Sequence, residues 1–222
     1  MRRLLILIVL FTLIPGCFGA AIAQDVREPE NLANTIDRLI RYHDYGEYDY
    51  QIRQVANSAR DYLEARLKDK QPGERLAAVF DIDETSLSNW ANMLDCGFCS
   101  YPAQVKLYPP PAADPPIVPV LELYKFAKSH GLAVFFVTGR QENQRAVTEK
   151  NLRDADYPAW DGLLMQKDGN TEPAGVFKPR NRKQITDMGY RIVLSIGDQA
   201  SDLSGCCAER VFKVPNPYYL IK

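Results

Sequence analysis

Short apolar runs, separated by longer amphipathic stretches, recur along the chain from residue 76 onward. The runs do not alternate with polar residues, which indicates strands that are buried on both faces, as in a parallel sheet. They cover 76–80, 132–137, 162–165, 192–196 and 211–214. Helical periodicity occupies the intervals at about 118–129, 141–154 and 178–188. Strands that alternate with helices predict an α/β fold built on a doubly wound, Rossmann-like parallel sheet.

The chain ahead of these runs is helical in pattern. Apolar residues recur at helical spacing from residue 32 to residue 68, so we expect N-terminal helices in front of the sheet. The tyrosine-rich stretch His43–Tyr50 is predicted to separate two of these helices. The tripeptide Gln71-Pro72-Gly73 predicts the turn that leads into the first strand.

The composition narrows the function classes. The chain has 222 residues, of which 46% are hydrophobic, so one domain with a sizeable core is expected. Its 27 Lys and Arg nearly balance its 28 Asp and Glu, which gives a formal net charge of -1. This balance offers no basic surface of the kind that nucleic-acid-binding proteins use, so no nucleic-acid partner is expected.

The first residues have the layout of a secretory signal peptide. Arg2-Arg3 precedes an uncharged apolar run over 4–14, and Ala21-Ile22-Ala23 offers small residues where a signal peptidase reads them. The run is shorter than the ~20 apolar residues that a membrane-spanning helix needs. We therefore expect residues 1–23 to be removed and 24–222 to form the exported domain, in the periplasm.

Two other interpretations of this N-terminal segment stay open. It could form a buried N-terminal helix of the folded domain. Alternatively, Ile14-Pro15-Gly16-Cys17 loosely resembles a bacterial lipobox, in which Cys17 would carry a lipid anchor. The protein would then be an outer-membrane lipoprotein rather than a free periplasmic protein.

Four cysteines follow the N-terminal segment. They are Cys96, Cys99, Cys206 and Cys207. An even number of cysteines in an exported protein suggests disulfides, and the sequence leaves their pairing open. A zinc site is the alternative, although two adjacent cysteines fit tetrahedral ligand spacing poorly.

The segment from about 86 to 116 fits neither a strand nor a helix period. It contains Trp90, two cysteines and, near its end, two proline clusters. A loop of this length inside a compact domain is usually functional. We expect it to form a cap over the active end of the sheet, and a disulfide-stapled surface loop is the alternative.

Polar residues follow three of the predicted strands. They are Asp81 and Asp83, then Thr138, Gly139 and Arg140, and finally Asp198 and Asp202. Ligands of open parallel sheets bind beyond the carboxyl ends of the strands, so we expect these residues to meet in one crevice. Each motif alone is common. Their order along the chain, and the position of each one directly after a buried strand, support a shared functional site.

The chemistry of these groups favours phosphoryl transfer with one Mg²⁺ ion. Clustered carboxylates repel one another unless a cation lies among them, and oxygen ligands without histidine favour Mg²⁺. A carboxylate can attack phosphorus to form an aspartyl-phosphate, and a second acid two residues on can protonate the leaving alcohol. Calcium is disfavoured, because Ser86 stands where a calcium loop needs glycine.

Groups for the phosphate oxygens come from elsewhere in the chain. Thr138, the Gly139 amide and a lysine are expected to bind the oxygens on which charge develops. Lys178, in Phe177-Lys178-Pro179 at the start of a predicted helix, is the preferred lysine, and Lys183 is the competitor.

Together these motifs resemble the haloacid dehalogenase superfamily of phosphohydrolases. The similarity is to its acid phosphatase branch, which includes bacterial outer-membrane lipoprotein phosphatases and plant acid phosphatases, and it runs from about residue 32 to residue 221. The segments that carry it are Phe80–Thr85 with Ser88-Asn89, Val137–Arg140, Phe177-Lys178 with Arg182, Gly189–Ile192, Gly197–Leu203 and Pro215–Tyr219. The resemblance implies an exported Mg²⁺-dependent acid phosphatase.

The resemblance also implies a role for individual residues. Asp81 would be the nucleophile and a metal ligand, and Asp83 the acid/base, which also ligates the metal through its backbone carbonyl. Asp198 would be the third metal ligand. The remaining roles are phosphate binding by Thr138, Gly139 and Lys178, and support by Asp202 and Asn89.

Two departures from the branch concern substrate choice. Trp90-Ala91-Asn92 stands where many relatives carry a proline and a tyrosine, and Ala200 stands where many carry a bulky aromatic residue. Trp90, Phe98 or Tyr101 could stack a nucleoside base, so the phosphate monoester could be a nucleotide. The alternative is that these rings pack the cap.

Two alternative functions stay open. A phosphotransferase would use the same intermediate and pass the phosphoryl group to an alcohol. A binding or storage protein on the same scaffold would be expected to lack the nucleophile or its metal partners, whereas all of these residues are present.

Overall fold

A computed structural model describes residues 28–99, 113–170 and 172–221. The predicted signal peptide, the lipid anchor at Cys17, Tyr101 and the middle of the predicted cap lie outside these residues. Of the helices in the part of the chain that is described, none has the length and apolar character needed to cross a membrane.

Five parallel strands form one sheet in the order β3-β2-β1-β4-β5. The strands are β1 (Leu76–Phe80), β2 (Ala133–Gln141), β3 (Gly162–Gln166), β4 (Arg191–Gly197) and β5 (Ala208–Lys213). All five residues of β1 are buried, as expected for the central strand of a parallel sheet. The order runs outward from β1 in both directions, so the predicted doubly wound sheet is confirmed.

Seven helices accompany these strands in the described residues. They are α1 (Leu32–Asp44), α2 (Glu47–Lys68), α3 (Trp90–Asp95), α4 (Val118–Ser129), α5 (Arg145–Asp154), α6 (Ala174–Asp187) and α7 (Ala200–Leu203). A 3₁₀ turn at Glu142–Gln144 leads into α5. The predicted N-terminal helices are therefore present.

The sheet lies between two apolar cores. Successive residues of β1 alternate between them: Ala78 and Phe80 pack with α2 and α4 on one face, and Val79 packs with α6 on the other. Burial of each large apolar side chain contributes about 1.5–3 kcal/mol. The two-sided core explains why the strand sequences are continuously apolar.

Three sequence predictions need correction. Helix α6 begins at Ala174, so Lys178 lies in its second turn instead of opening it, and Pro179 is inside the helix. Strand β2 continues through Thr138 and Arg140, although the prediction from the sequence ended the strand before Thr138. The stretch His43–Tyr50 does separate two helices, but only Tyr45 and Gly46 lie between α1 and α2, since Gly46, with a left-handed φ of 82°, lets the chain turn within two residues.

The cysteines form two local disulfides. Cys96 bonds to Cys99 just after α3, and Cys206 bonds to Cys207 in the loop between α7 and β5. The four sulfurs are thus divided between two bonds and do not form one zinc ligand set. The segment predicted as a cap contains α3 in its described part.

Candidate active site

A tight turn after β1 presents the first pair of carboxylates. The amides of Ser86 and Leu87 both donate to the carbonyl oxygen of Ile82 at 2.9 Å, and the Ser86 hydroxyl donates to the Asp81 carbonyl at 2.6 Å. Glu84 takes a left-handed φ of 52° within this turn. The strained turn therefore fixes the directions of Asp81 and Asp83.

Glu84 is a buried part of this turn that has no role in the sequence predictions. Its carboxylate accepts hydrogen bonds from the Tyr48 hydroxyl at 3.0 Å and from the Asn89 amide at 2.5 Å. Burial raises the pKa of Glu84 to about 8. Glu84 thereby joins α2 and the start of α3 to the turn.

Lys178 lies between two carboxylates. Its Nζ is 2.6 Å from Asp81 Oδ1 and also donates to Asp202. Burial and the charge of Asp202 raise the pKa of Asp81 well above its usual range, although Lys178 opposes them. Burial by itself lowers the pKa of Lys178, but the charges of Asp202 and Asp81 outweigh it and raise this pKa overall. Lys178 is therefore a buried ammonium group.

Lys183, the competing lysine, lies on the exposed side of α6. Its Nζ pairs with Asp187 at 2.7 Å, one turn further along the helix. The structure thus brings Lys178, and not Lys183, next to the carboxylates.

The residues after β4 complete this side of the site. Asp198 Oδ2 accepts hydrogen bonds from Asn216 Nδ2 at 2.6 Å and from Gln199 Nε2 at 2.5 Å. Burial, followed by the charge of Asp202, raises the pKa of Asp198. Gly197 is required here, because a Cβ at this position would overlap the Asp202 side chain.

Three of these carboxylates could hold a metal ion. Asp81, Asp198 and Asp202 are buried, and each offers an oxygen within 4.8 Å of the others. The donors are all hard oxygens. Burial, followed by the negative charge of Asp202, raises the pKa of Asp81 and of Asp198, and a cation would offset that charge. The donor set therefore fits a divalent cation of the Mg²⁺ type.

Asp83 points its carboxylate at Arg140. The guanidinium donates through Nη2 to Oδ1 at 2.8 Å and through Nε to Oδ2 at 3.1 Å, and Asn89 Nδ2 donates to Oδ1 at 3.2 Å. Burial raises the pKa of Asp83, but the charge and hydrogen bonds of Arg140 outweigh it and lower this pKa overall. Asp83 is therefore held as a carboxylate.

Asp114 holds Arg140 from the other side. Arg140 Nη2 lies 3.4 Å from Asp114 Oδ2. The Asn151 side chain fixes the backbone of Asp114, because its Oδ1 accepts from the Asp114 amide and its Nδ2 donates to the Asp114 carbonyl oxygen. The sequence predicts that Arg140 lies in the crevice, beside Thr138 and Gly139, but it assigns Arg140 no role. Asp114 gives no such signal, because it stands in a proline-rich stretch remote from every motif.

Thr138 and Gly139 lie at the carboxyl end of β2. Thr138 is fully buried, and its hydroxyl oxygen accepts a hydrogen bond from the Arg140 amide at 3.1 Å. A Cβ added to Gly139 would meet no atom within 4 Å, so the backbone here faces open space. This space belongs to the cleft described next.

One cleft of about 290 Å³ joins these elements. The predicted residues that line it are Asp81, Asp83, Gly139, Lys178 and Asp198. The other described residues that line the cleft were not predicted from the sequence. They are Gln166, Asn170, Glu172, Pro173, Ala174, Tyr219 and Ile221. These come from the end of β3, the loop that follows it, the first residue of α6 and the C-terminal segment. The ends of four strands, β1 to β4, and the start of α6 therefore converge on this cleft.

Two of the aromatic residues predicted as substrate contacts, Trp90 and Phe98, pack against other rings, and the third, Tyr101, lies outside the described residues. Trp90 stacks on His43 with ring centroids 3.8 Å apart and meets Phe98 edge-on at 5.8 Å. Neither Trp90 nor Phe98 is among the described residues that line the cleft. These contacts match the alternative in which the rings pack the cap, and base stacking stays a prediction.

The sequence is similar to known families and proteins. The family described as HAD superfamily, subfamily IIIB (Acid phosphatase), matches residues 20–222. Acid phosphatase 1 of Solanum lycopersicum is 33% identical over 179 residues, which are 78% of this chain and 69% of that protein. Vegetative storage protein 2 of Arabidopsis thaliana is 32% identical over 147 residues, which are 64% of this chain and 56% of that protein.

The fold is similar to that of a solved structure. The class C acid phosphatase from Bacillus anthracis superimposes with a TM-score of 0.70 at 23% sequence identity. The match covers 85% of this chain and 86% of that one. The sheet and its flanking helices are therefore shared.

Proposed function

Because the chain belongs to the acid phosphatases of subfamily IIIB of the HAD superfamily, we propose that it hydrolyses small phosphate monoesters through a phosphorylated Asp81 and depends on Mg²⁺. The observation that carries the proposal is the contact between Lys178 Nζ and Asp81 Oδ1, 2.6 Å apart and buried beside a cleft. A nucleophile and a phosphate-binding cation meet there.

Asp81 attacks phosphorus with a carboxylate oxygen. An oxygen–phosphorus bond forms on Asp81 as the bond from phosphorus to the leaving alcohol breaks. Water then attacks the phosphorus of this aspartyl-phosphate, which releases inorganic phosphate and restores Asp81. The position of Asp81 on the wall of the cleft supports this role.

One Mg²⁺ ion would be held by the carboxylates of Asp81 and Asp198 and by the backbone carbonyl of Asp83. When bound, the ion supplies positive charge that offsets these carboxylates and the phosphate dianion. Asp202 supports the set, since its own oxygens are already engaged by Lys178 and by the Gln199 amide at 2.9 Å.

Thr138, the Gly139 amide and Lys178 bind the phosphate oxygens. Fixed donors aimed at oxygens on which charge develops stabilise the transition state. The raised pKa of Lys178 keeps its ammonium charged throughout the reaction. The open space at Gly139 leaves room for the oxygens to approach the backbone.

Asp83 moves the protons, with Asn89 beside it. It donates a proton to the leaving alcohol and later takes one from the attacking water. Arg140 lowers the pKa of Asp83, so Asp83 is ready as a base but carries a proton only in acid. The first half-reaction is therefore favoured as the pH falls, in keeping with an acid phosphatase.

The place of action follows from the N-terminal segment and the disulfides. Removal of residues 1–23 would deliver the domain to the periplasm, where disulfides such as Cys96–Cys99 persist. A lipid anchor at Cys17 is the alternative. The substrate is a small-molecule monoester, and a nucleotide is one candidate.

Turnover of p-nitrophenyl phosphate by the mature protein tests the proposal. Activity should stop with EDTA and return with Mg²⁺. Asp81→Asn should lower kcat on the order of a thousandfold or more. Asp187→Asn, at an exposed carboxylate on α6, is the matched control and should leave activity unchanged. Full activity in Asp81→Asn would show that Asp81 is not the nucleophile.

A storage role is the second candidate, since the chain is similar to a vegetative storage protein. It predicts no turnover on any phosphate ester in a panel of nucleotides, sugar phosphates and aromatic phosphates. A phosphotransferase would instead show turnover, with phosphate passed to added glycerol. Product analysis with and without glycerol separates the two enzymes.

A further inference from the structure

The cleft continues past the catalytic carboxylates to the loop between β3 and α6. We propose that Glu172, on this loop, determines specificity by accepting a hydrogen bond from a hydroxyl or ammonium group on the leaving alcohol. The preferred substrates are then phosphate esters of small polyols or amino alcohols. This inference rests on the proposed phosphatase function.

One oxygen of the Glu172 carboxylate is fixed and the other lacks a partner. Oε1 accepts a hydrogen bond from Arg180 Nη1 at 2.6 Å, and the side chain is 18% exposed. Oε2 is closed off from solvent and has no hydrogen-bond partner in the part of the chain that the structure describes. A carboxylate oxygen that has lost its hydration without gaining a donor is unfavourable, and a ligand can supply that donor.

The backbone of Glu172 is held in place as well. Its amide donates to Asn170 Oδ1 at 3.0 Å, and its carbonyl oxygen accepts from Gln166 Nε2 at 2.8 Å. Pro173 then leads into α6. Arg180 and these two side chains together orient the carboxylate before any ligand binds, which lowers the cost of recognition.

Glu172 lines the same cleft as Asp81 and Lys178. Since Asp81 and Lys178 engage the phosphate, Glu172 is the carboxylate, among the described lining residues, that is left for the alcohol. The cleft volume of about 290 Å³ lies at the small end of the range for ligand sites. A small alcohol therefore fits better than a large one.

The charge of the site selects among small alcohols. The carboxylate of Glu172 attracts an ammonium group, accepts from a hydroxyl group and repels a second anionic group. The Nε2 of Gln166 is already used, so this neighbour also has an acceptor oxygen to offer. An alkyl group of the same size would leave these acceptors unpaired, which is the basis of strong discrimination.

Three esters of equal size test the proposal: propyl, 2-hydroxyethyl and 2-aminoethyl phosphate. In the wild-type protein, kcat/KM should be on the order of tenfold higher for each ester that carries a donor than for propyl phosphate. Glu172→Gln should remove the advantage of the ammonium ester and keep that of the hydroxyl ester, and kcat/KM for propyl phosphate should change least of the three. Glu172→Leu should remove both advantages. The two variants therefore distinguish recognition of a hydroxyl group from recognition of an ammonium group.

Two further variants serve as a control and as a second test. Glu122→Gln replaces an exposed acid on α4 that pairs with Arg53, and it should change none of the three values. Arg180→Met leaves Glu172 in place but frees Oε1, so it should shrink the donor preference even if the Glu172 variants fail to fold.

The outcomes separate this inference from the proposed function. Equal kcat/KM values for the three esters in an active wild-type protein, or an equal loss on all three in Glu172→Gln, overturn the role of Glu172. Failure of the wild-type protein to hydrolyse p-nitrophenyl phosphate with Mg²⁺ overturns the phosphatase proposal itself.

Discussion

The guanidinium of Arg140 donates two hydrogen bonds to the carboxylate of Asp83, with Nη2 2.8 Å from Oδ1 and Nε 3.1 Å from Oδ2. The Arg140 side chain is 3% exposed and that of Asp83 is 14% exposed. A charged pair so far from solvent controls both the orientation and the proton affinity of the carboxylate. The proposed acid/base is thus set by a residue on the neighbouring strand.

Replacement of Arg140 by Gln should shift the pH dependence of turnover. Burial raises the pKa of Asp83 and Arg140 lowers it, so loss of Arg140 should raise this pKa. Asp83 would then stay protonated to higher pH, and the fall in kcat on the alkaline side should move upward. A pH profile with an alkyl phosphate checks this, because a poor leaving group depends most on the acid.

The same Arg140→Gln variant should be less stable by about 3–5 kcal/mol, because it leaves Asp83 buried without its partner. Denaturant unfolding measures this loss. An unchanged alkaline limb in a folded variant would show that Arg140 does not govern the protonation of Asp83.

Lys178 and Lys183 form a matched pair for substitution by Met. Lys178→Met removes the cation between Asp81 and Asp202, so kcat should fall on the order of a hundredfold or more. Lys183→Met removes an exposed pair with Asp187, and stability should change by no more than about 0.5 kcal/mol with kcat unaltered. Similar kinetics for the two variants would contradict the assignment of Lys178.

Gly197→Ala should damage the site although it replaces no ionisable residue. The added Cβ would overlap the Asp202 carboxyl, so Asp202 must move away from Lys178. We expect weaker Mg²⁺ activation and lower kcat, measured by titration of Mg²⁺ into the EDTA-treated protein. Gly175→Ala is the control, because a Cβ there meets nothing within 4 Å. Normal activation of Gly197→Ala would mean that Asp202 is not needed where it stands.

Stability in acid should depend on a network at the opposite end of the sheet. Arg66 donates to Glu209 at 2.9 Å and to Glu74 at 2.8 Å. Burial raises the pKa of Glu209, but hydrogen bonds from Arg66, Arg191 and Tyr62 lower it overall. A lowered folded-state pKa gives stability that is present above the unfolded value of about 4.3 and is lost as the pH falls through the folded value.

Glu209→Gln tests this network by urea unfolding at two pH values. At pH 7 the variant should be less stable than the wild type by about 1 kcal/mol. Well below pH 4 the difference should vanish, because Glu209 is then protonated in both states. A difference that does not change with pH would rule out the ionised carboxylate as its source.

The strands and the main site residues could be predicted because the signals are local. A run such as Leu76–Phe80 is apolar throughout, and the carboxylates follow such runs directly. Parallel topology then brings the strand ends together, which is why Asp81, Gly139 and Asp198 could be assigned to one crevice.

The rest could not be predicted because it depends on distant contacts. Asn216 reaches Asp198 because β5 runs parallel to β4, and this pairing continues to the Val214 amide, which is bonded to the Gly197 carbonyl at 3.0 Å. Asp114 meets Arg140 across 26 residues. The start of α6 was placed too late, because Pro179 is typical of a helix start and here lies inside the helix.

Chemical trapping of the intermediate tests the central claim most directly. Borohydride reduces an aspartyl-phosphate to homoserine, so acid-quenched protein that has turned over p-nitrophenyl phosphate can be reduced and analysed by peptide mass spectrometry. We predict that Asp81 is recovered as homoserine, more so in Asp83→Asn, where hydrolysis of the intermediate is slowed. Release of p-nitrophenol with Asp81 unmodified, or with another residue modified in its place, would contradict the account.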